Sequence, residues 1–279
     1  MLFVSSNLFA QVVEEKEDNT IFNSFYDDHK QEKARKPFVY PYVRKADVVW
    51  RQRVWRLIDF REKMNQPFYY PIDPDEDAQG RMNLFSVIDR ALKDGTIVCY
   101  EDDEFKTEAD YQKILSGLGH YERMESEVQD PDGEIIMVED STFVAMNPMD
   151  IKSLRIKEDW YVDKQRSVRD VRILGFCFVY TRPSDDGSSS TTPLFWIRYN
   201  DPAVRNLLAN ADMYNPKNDV QQISYDDVFV KRLFTSYVTR TTNTQNRSIS
   251  QYLTGLDALF QSDEIEEEIF NREQDMWEY

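Results

Sequence analysis

The stretch Val171-Arg172-Ile173-Leu174-Gly175-Phe176-Cys177-Phe178-Val179-Tyr180 decides the fold. It is nearly all apolar and reads as a strand buried on both faces. Residues 194–199 return as its hairpin partner across a solvated tip, Arg182-Pro183-Ser184-Asp185-Asp186-Gly187-Ser188-Ser189-Ser190. Residues 154–162 read as a strand as well. Residues 121–128 and 134–138 flank Asp130-Pro131-Asp132-Gly133, a turn signal that makes them a hairpin. Shorter strands are expected at 96–100 and 235–241.

Helices fall between these strands. Asn83 can cap a helix running through Lys93, with Leu84, Val87, Ile88 and Leu92 as its stripe and Gly95 as its stop. Thr107 opens a second, with Asp110 at the fourth place of a capping-box-like Thr-x-x-Asp and Tyr111, Ile114, Leu115 and Leu118 along one side. Asp201-Pro202 joins a cap to a proline at the first helical position. Residues 224–234 read as a helix. The tail reads as a long helix over 253–276, with Leu256, Leu259, Phe260, Ile265, Ile269 and Phe270 inward and Glu264, Glu266, Glu267 and Glu268 in water. No internal repeat is visible. Hairpins with non-alternating helices give an α+β class: an antiparallel sheet built from hairpins, flanking helices and a long C-terminal helix.

The chain has 279 residues, 41% of them hydrophobic, and a net charge of -17. That length buries a sizeable core, and residues 37–279 read as a single α+β domain. Nucleic-acid and anionic-membrane binding both depend on clustered Lys and Arg, so the acidic balance disfavours them. No apolar run is long enough to span a bilayer, so direct membrane insertion is not expected. Residues 1–10, ending in Ala10, resemble the back half of a secretory signal whose basic front is missing, a truncated signal peptide. No cysteine follows Ala10, so any membrane attachment is expected to come through a partner. Residues 11–36 read as an extended arm whose isolated aromatics, Phe22, Phe25 and Tyr26, could dock on a neighbour, or as plain disorder. Cys99 and Cys177 sit in apolar runs and read as two buried thiols, although export would permit a disulfide.

One segment stands out from this acidic background. Residues 46–65, Ala46-Asp47-Val48-Val49-Trp50-Arg51-Gln52-Arg53-Val54-Trp55-Arg56-Leu57-Ile58-Asp59-Phe60-Arg61-Glu62-Lys63-Met64-Asn65, hold two tryptophans and several arginines. Trp50, Val54, Leu57, Ile58 and Arg61 share a face at helical spacing, and Asp47–Arg51 and Asp59–Lys63 are acid-first i,i+4 pairs. The segment is therefore expected to be a helix, with an alternating strand over 54–60 as the alternative. On a helix Trp55 would leave the core stripe and lie beside Arg51 and Arg56, residue types enriched at interface hot spots.

The residues offer little chemistry. There are two histidines, His29 in the arm and His120 at a helix end, and neither stands beside a Ser or Cys that it could activate. His and Cys do not cluster at metal spacing. With eight glycines in all, phosphate-cradling loops are disfavoured, and no cofactor is expected. Asp73-Pro74-Asp75-Glu76-Asp77 has the alternate acids of a calcium loop, but Ala78 and Leu84 stand where such a loop needs Gly and Glu. Glu101-Asp102-Asp103-Glu104 reads as a solvated charge run. Acids are so abundant that a carboxylate-pair hydrolase or glycan-binding protein stays open as the alternative to a non-enzymatic role.

The Trp–Arg segment and its Pro67-Phe68-Tyr69-Tyr70-Pro71 exit resemble the GldN / PorN gliding-motility family. Asp226-Asp227-Val228-Phe229-Val230-Lys231-Arg232-Leu233-Phe234, Gly255-Leu256-Asp257-Ala258-Leu259 and Asp275-Met276-Trp277-Glu278-Tyr279 extend the likeness towards the C-terminus. The resemblance implies a non-enzymatic periplasmic subunit of the type IX secretion system. It would pair with an outer-membrane lipoprotein, GldK / PorK, in a multimeric ring and contact the periplasmic part of the motor protein GldM / PorM. It brings no catalytic residues. The candidate interface residues, read from the Trp–Arg segment and the aromatics of the arm, are Trp55, Arg51, Arg56, Phe22, Phe25 and Tyr26.

Overall fold

The apolar decapeptide lies within a strand at Val168–Pro183, and Ile173, Phe176, Cys177, Phe178, Val179 and Tyr180 are all buried. Both of its faces are covered, as its composition requires. The structure is a computed structural model that describes residues 35–72, 81–118, 120–129, 135–144, 146, 148–183, 189–216, 218 and 221–275. In chain order the strands and α-helices are β1 (Val48–Asp59), α1 (Leu84–Lys93), β2 (Cys99–Tyr100), α2 (Tyr111–Leu118), β3 (His120–Gln129), β4 (Ile135–Val144), β5 (Ile151–Asp163), β6 (Val168–Pro183), β7 (Ser189–Arg198), α3 (Pro202–Asn210), β8 (Asp212–Met213), β9 (Ile223–Ser224), α4 (Tyr225–Lys231), β10 (Tyr237–Thr241) and α5 (Leu256–Asp275). Six strands pair in the order β10-β1-β5-β6-β7-β2, all antiparallel. β3 with β4 and β8 with β9 form two further pairs. The class is α+β, with hairpins, flanking helices and the long C-terminal helix.

The Trp–Arg segment is corrected from helix to strand. β1 is an interior strand of the sheet, between the edge strand β10 and β5, and its register with β5 is unbroken from Trp50↔Val162 to Asp59↔Ser153. Strand geometry alternates its side chains between faces. Val54 and Ile58 turn to the face that holds most of the core, while Trp55 turns to the other and packs with Cys177 and Trp196. The alternative of a strand over 54–60 was the better reading, and the strand begins six residues earlier.

The helix-covered face carries an aromatic core. Phe68, Phe176, Phe229 and Phe234 pack ring against ring, with the Phe176 and Phe229 centroids 5.7 Å apart. Asn83 caps α1 by accepting the Ser86 amide at 2.7 Å, and Gly95 takes φ 69° just past its end, a left-handed position that glycine adopts without a Cβ clash. Asp201 caps α3 by accepting the Ala203 amide at 2.9 Å. α2 starts at Tyr111 rather than near Thr107. Asp110 is its capping residue, accepting the Gln112 amide at 3.1 Å, and Glu108 instead bridges Tyr100. α4 is shorter than expected because Arg232 turns left-handed at φ 54° and ends it.

α5 differs most in which way it faces. Ile265 and Ile269 are buried against Val54 and Val238, but Leu256, Leu259, Phe260 and Phe270 are exposed rather than inward. Glu264, Glu267 and Glu268 are exposed as expected, whereas Glu266 is half-buried and pairs with Arg56. The cysteines are free thiols on opposite sides of the sheet, Cys99 in the main core and Cys177 beside Trp55. Burial pushes the Cys177 thiol up to about 12. β6 and β7 stay paired as far as Pro183↔Ser189, so the tip joining them is shorter than expected. The acidic turn at 73–77, the turn at 130–133, His29 and residues 1–34 lie outside the described residues. No described helix is long and apolar enough to cross a membrane.

Candidate functional site

On the sheet face opposite the main core, the loop after β2 crosses the strands towards β1. Tyr100 leads into it, and Phe105 stacks edge-on against Tyr100 and Trp196, with centroids 5.6 Å and 6.4 Å away. Phe105 lies directly over Gly175 of β6. A Cβ there would overlap the Phe105 ring and stand 2.6 Å from the Ile197 carbonyl oxygen. The strand needs glycine at this point because another residue's ring occupies that space. Phe105 itself holds φ 58°, a left-handed conformation that costs a bulky residue energy and that the packing must hold in place. Gly175→Ala should therefore destabilise the fold by about 1–3 kcal/mol and lift the loop. Faster trypsin cleavage at exposed Lys106 would report it, and an unchanged rate would reject the packing role.

The loop carries Asp103 across the sheet to β5, β1 and the edge strand β10. Its carboxylate accepts the Trp55 indole N–H at 2.9 Å and Arg240 Nη2 at 2.7 Å. The Arg240 guanidinium lies 3.6 Å from the Trp55 ring centroid. Lys157, buried on β5, donates to the Asp103 carbonyl and approaches the Trp55 and Phe105 rings at 5.6 Å each. Burial holds its ammonium below the ordinary lysine range, because desolvation disfavours the charged form. A neighbouring ion pair is bidentate: Arg53 Nε and Nη2 meet the two Asp159 oxygens at 2.7 Å and 2.9 Å. Asp103 and Asp159 are thus committed to holding cations and an indole.

A hollow of about 530 Å³ opens beside this network. It is lined by Arg51, Arg53, Lys157, Arg240 and Arg272 against Asp103, Glu104 and Glu268. That is a local excess of cations in a chain of net charge -17. A second hollow of about 770 Å³ lies along β10 and the start of α5, and Arg155 lines it. The Arg155 Nε is buried without a hydrogen-bond partner among the described residues. Chemically the first hollow, with its excess of cations, suits holding another molecule's acidic groups. The carboxylate-pair alternative would draw on Asp103, whose Oδ2 is already shared by Trp55 and Arg240.

The sequence candidates are distributed unevenly over this geometry. Trp55 is 7% exposed and sits under Arg240, so it is not the outward-facing ring that the helix reading implied. Arg56 is buried too. Its Nε donates to Ser236 Oγ at 2.8 Å, and its Nη2 pairs with Glu266 of α5. Arg51 alone of the three is open, with its side chain 59% exposed and a loose 3.7 Å contact to Asp159. Phe22, Phe25 and Tyr26 lie outside the described residues.

Sequence reasoning passed over Asn65, Asp103 and Asp226. Buried Asn65 donates to the Asp59 and Thr235 carbonyls and accepts the Thr235 amide, each at 2.9 Å. It ties the exit of β1 to the approach to β10. Asp103 lay inside a run of acids with nothing to separate it from its neighbours. Asp226, within one of the quoted motifs, turns inward from α4 to meet Arg205.

The signature segments therefore have structural work that needs no partner. A family model described as gliding motility associated protein GldN matches residues 43–278. No curated protein matches the chain.

Proposed function

The chain belongs to the GldN family of gliding motility associated proteins, and from that premise we propose that it is a non-enzymatic structural subunit of the type IX secretion and gliding machinery. The observation that carries this reading is the extent of the match, which takes in every strand and helix from β1 to α5. In this reading the protein works in the periplasm. An outer-membrane lipoprotein of the GldK / PorK kind holds it at the membrane, copies assemble with that lipoprotein into a ring, and the periplasmic part of GldM / PorM engages the ring. The rim of the first hollow supports such a role: Arg51 offers an exposed guanidinium whose Asp159 neighbour, 3.7 Å away, is already bound by Arg53.

Co-expression with the candidate lipoprotein tests the reading. The expected result is a complex that co-purifies through size exclusion and migrates as a multimer. Two proteins that elute separately, each folded, would overturn it.

A further inference from the structure

The first turns of α5 present apolar side chains to solvent. Leu256 is 70% exposed, Leu259 48% and Phe260 67%. They stand at i, i+3 and i+4, so they form one ridge on the helix surface. Tyr252, just before the helix, is exposed as well. Scattered single apolar residues are ordinary on a protein surface, but a contiguous cluster marks an interaction site.

The ridge is also rigidly mounted. Ile265 and Ile269, on the side of α5 away from the ridge, enter the core, while Ser262 Oγ accepts the Val238 amide at 2.8 Å and Glu266 pairs with Arg56. A partner would spend little ordering entropy on this surface. Charge identifies what fits. From Ser248 to Asn271 the sequence contains Asp257, Asp263, Glu264, Glu266, Glu267 and Glu268 and no Lys or Arg. Asp257, Asp263, Glu264 and Glu267 are exposed on the same helix as the ridge, while Glu268 lines the first hollow. Anionic lipid and acidic protein surfaces are repelled.

We infer that the Leu256–Leu259–Phe260 ridge docks into an apolar cleft rimmed by Lys and Arg on a different protein of the assembly. This deepens the proposed function, since it names the chemistry of one partner surface. It does not depend on which component supplies the cleft. The apolar ridge supplies the hold, and the acids steer the encounter, an effect that salt screens.

The test places a photo-crosslinking phenylalanine analogue at Phe260 in the full chain, expressed in its own cells, with the same analogue at exposed Arg198 on β7 as the control. Mass spectrometry then reads the crosslinked peptide. The expected adduct at Phe260 is a peptide of another protein in which apolar residues are flanked by Lys or Arg, with none at Arg198. A Leu256→Gln/Phe260→Gln double variant should reduce co-purification of that protein at least tenfold, with no change in melting temperature. If the adduct is not the lipoprotein, the inference survives and the lipoprotein contact of the proposed function is not made here. No adduct, an adduct with a second copy of this chain, or full co-purification by the double variant would each overturn the inference. In the last case a co-purifying lipoprotein would leave the functional reading intact.

Discussion

Asp226→Ala is expected to destabilise the folded chain by about 3–5 kcal/mol, roughly a 6–20 °C fall in melting temperature for a domain of this size. The carboxylate is buried on α4 and accepts four hydrogen bonds. Arg205 Nε reaches Oδ1 at 2.6 Å and Nη2 reaches Oδ2 at 3.0 Å. The Tyr199 hydroxyl donates to Oδ1 at 2.8 Å, and the Phe38 amide donates to Oδ2 at 3.1 Å. Removing it leaves a buried guanidinium without its counter-charge, the costly way to break a buried pair. It also loosens the segment before β1. Arg205 donates to the Phe38 carbonyl at 2.7 Å and lies 4.9 Å from the Tyr40 ring centroid. Beyond the segment, Arg172 lies 4.1 Å from the same ring and donates to the Pro41 carbonyl at 2.8 Å.

A paired replacement separates charge from packing. Arg205→Met with Asp226→Leu removes both ions and should cost less than Asp226→Ala alone. It will not be neutral, because the Tyr199 hydroxyl and the Phe38 amide lose their acceptor. Urea denaturation of the three proteins measures the difference. A single variant within about 1 kcal/mol of the parent would show that water reaches Arg205 and that the pair is not structurally decisive.

The sheet was legible where local composition and position agreed. β6 announced itself through a run of apolar residues, and the caps at Asn83 and Asp201 follow directly from side chains that satisfy the free amides of a helix start. β1 was misread because both of its faces are covered, so no clean alternation of polar and apolar residues survives. Arg56 stands on the core-facing side, paired with Glu266, and Trp55 stands on the other. A charged residue on the covered side and a large ring opposite look like a helical stripe when read at 3.6 residues per turn. The β-branched and aromatic content of residues 48–58 was the contrary signal.

The candidate site was less legible, for a different reason. Asp103 meets Trp55, Lys157 and Arg240 only after a loop has crossed several strands. No spacing within the sequence encodes that meeting. The tail helix shows the opposite failure. Its apolar residues were legible, but periodicity cannot tell a core stripe from an interface ridge. Leu256 and Phe260 lie on the side away from Ile265 and Ile269, and an unequal split between two apolar faces is visible only once the neighbours are known.

Trp55→Ala should cost about 3–5 kcal/mol, the range for removing a large buried aromatic side chain. The expected loss has three parts. The ring packs with Cys177 and Trp196. It stacks under Arg240 at 3.6 Å, and its N–H satisfies Asp103. Trp55→Phe keeps most of the packing and drops the donor, so it should fall between the parent and the alanine variant, at about 1.5–3 kcal/mol. Thermal denaturation checks the order. Arg51→Ala, by contrast, removes an exposed side chain with one loose contact and should change stability by no more than about 0.5 kcal/mol. This difference decides how binding data on β1 can be read. A Trp55→Ala or Arg56→Ala protein that fails to bind has first lost packing or a buried ion pair, so its failure says nothing of contact. An Arg51→Ala protein that melts normally yet holds the lipoprotein several-fold less tightly places the rim of the first hollow in the interface. If Arg51→Ala binds as well as the parent, the rim takes no part, and the tryptophans and arginines of this segment serve to build the sheet.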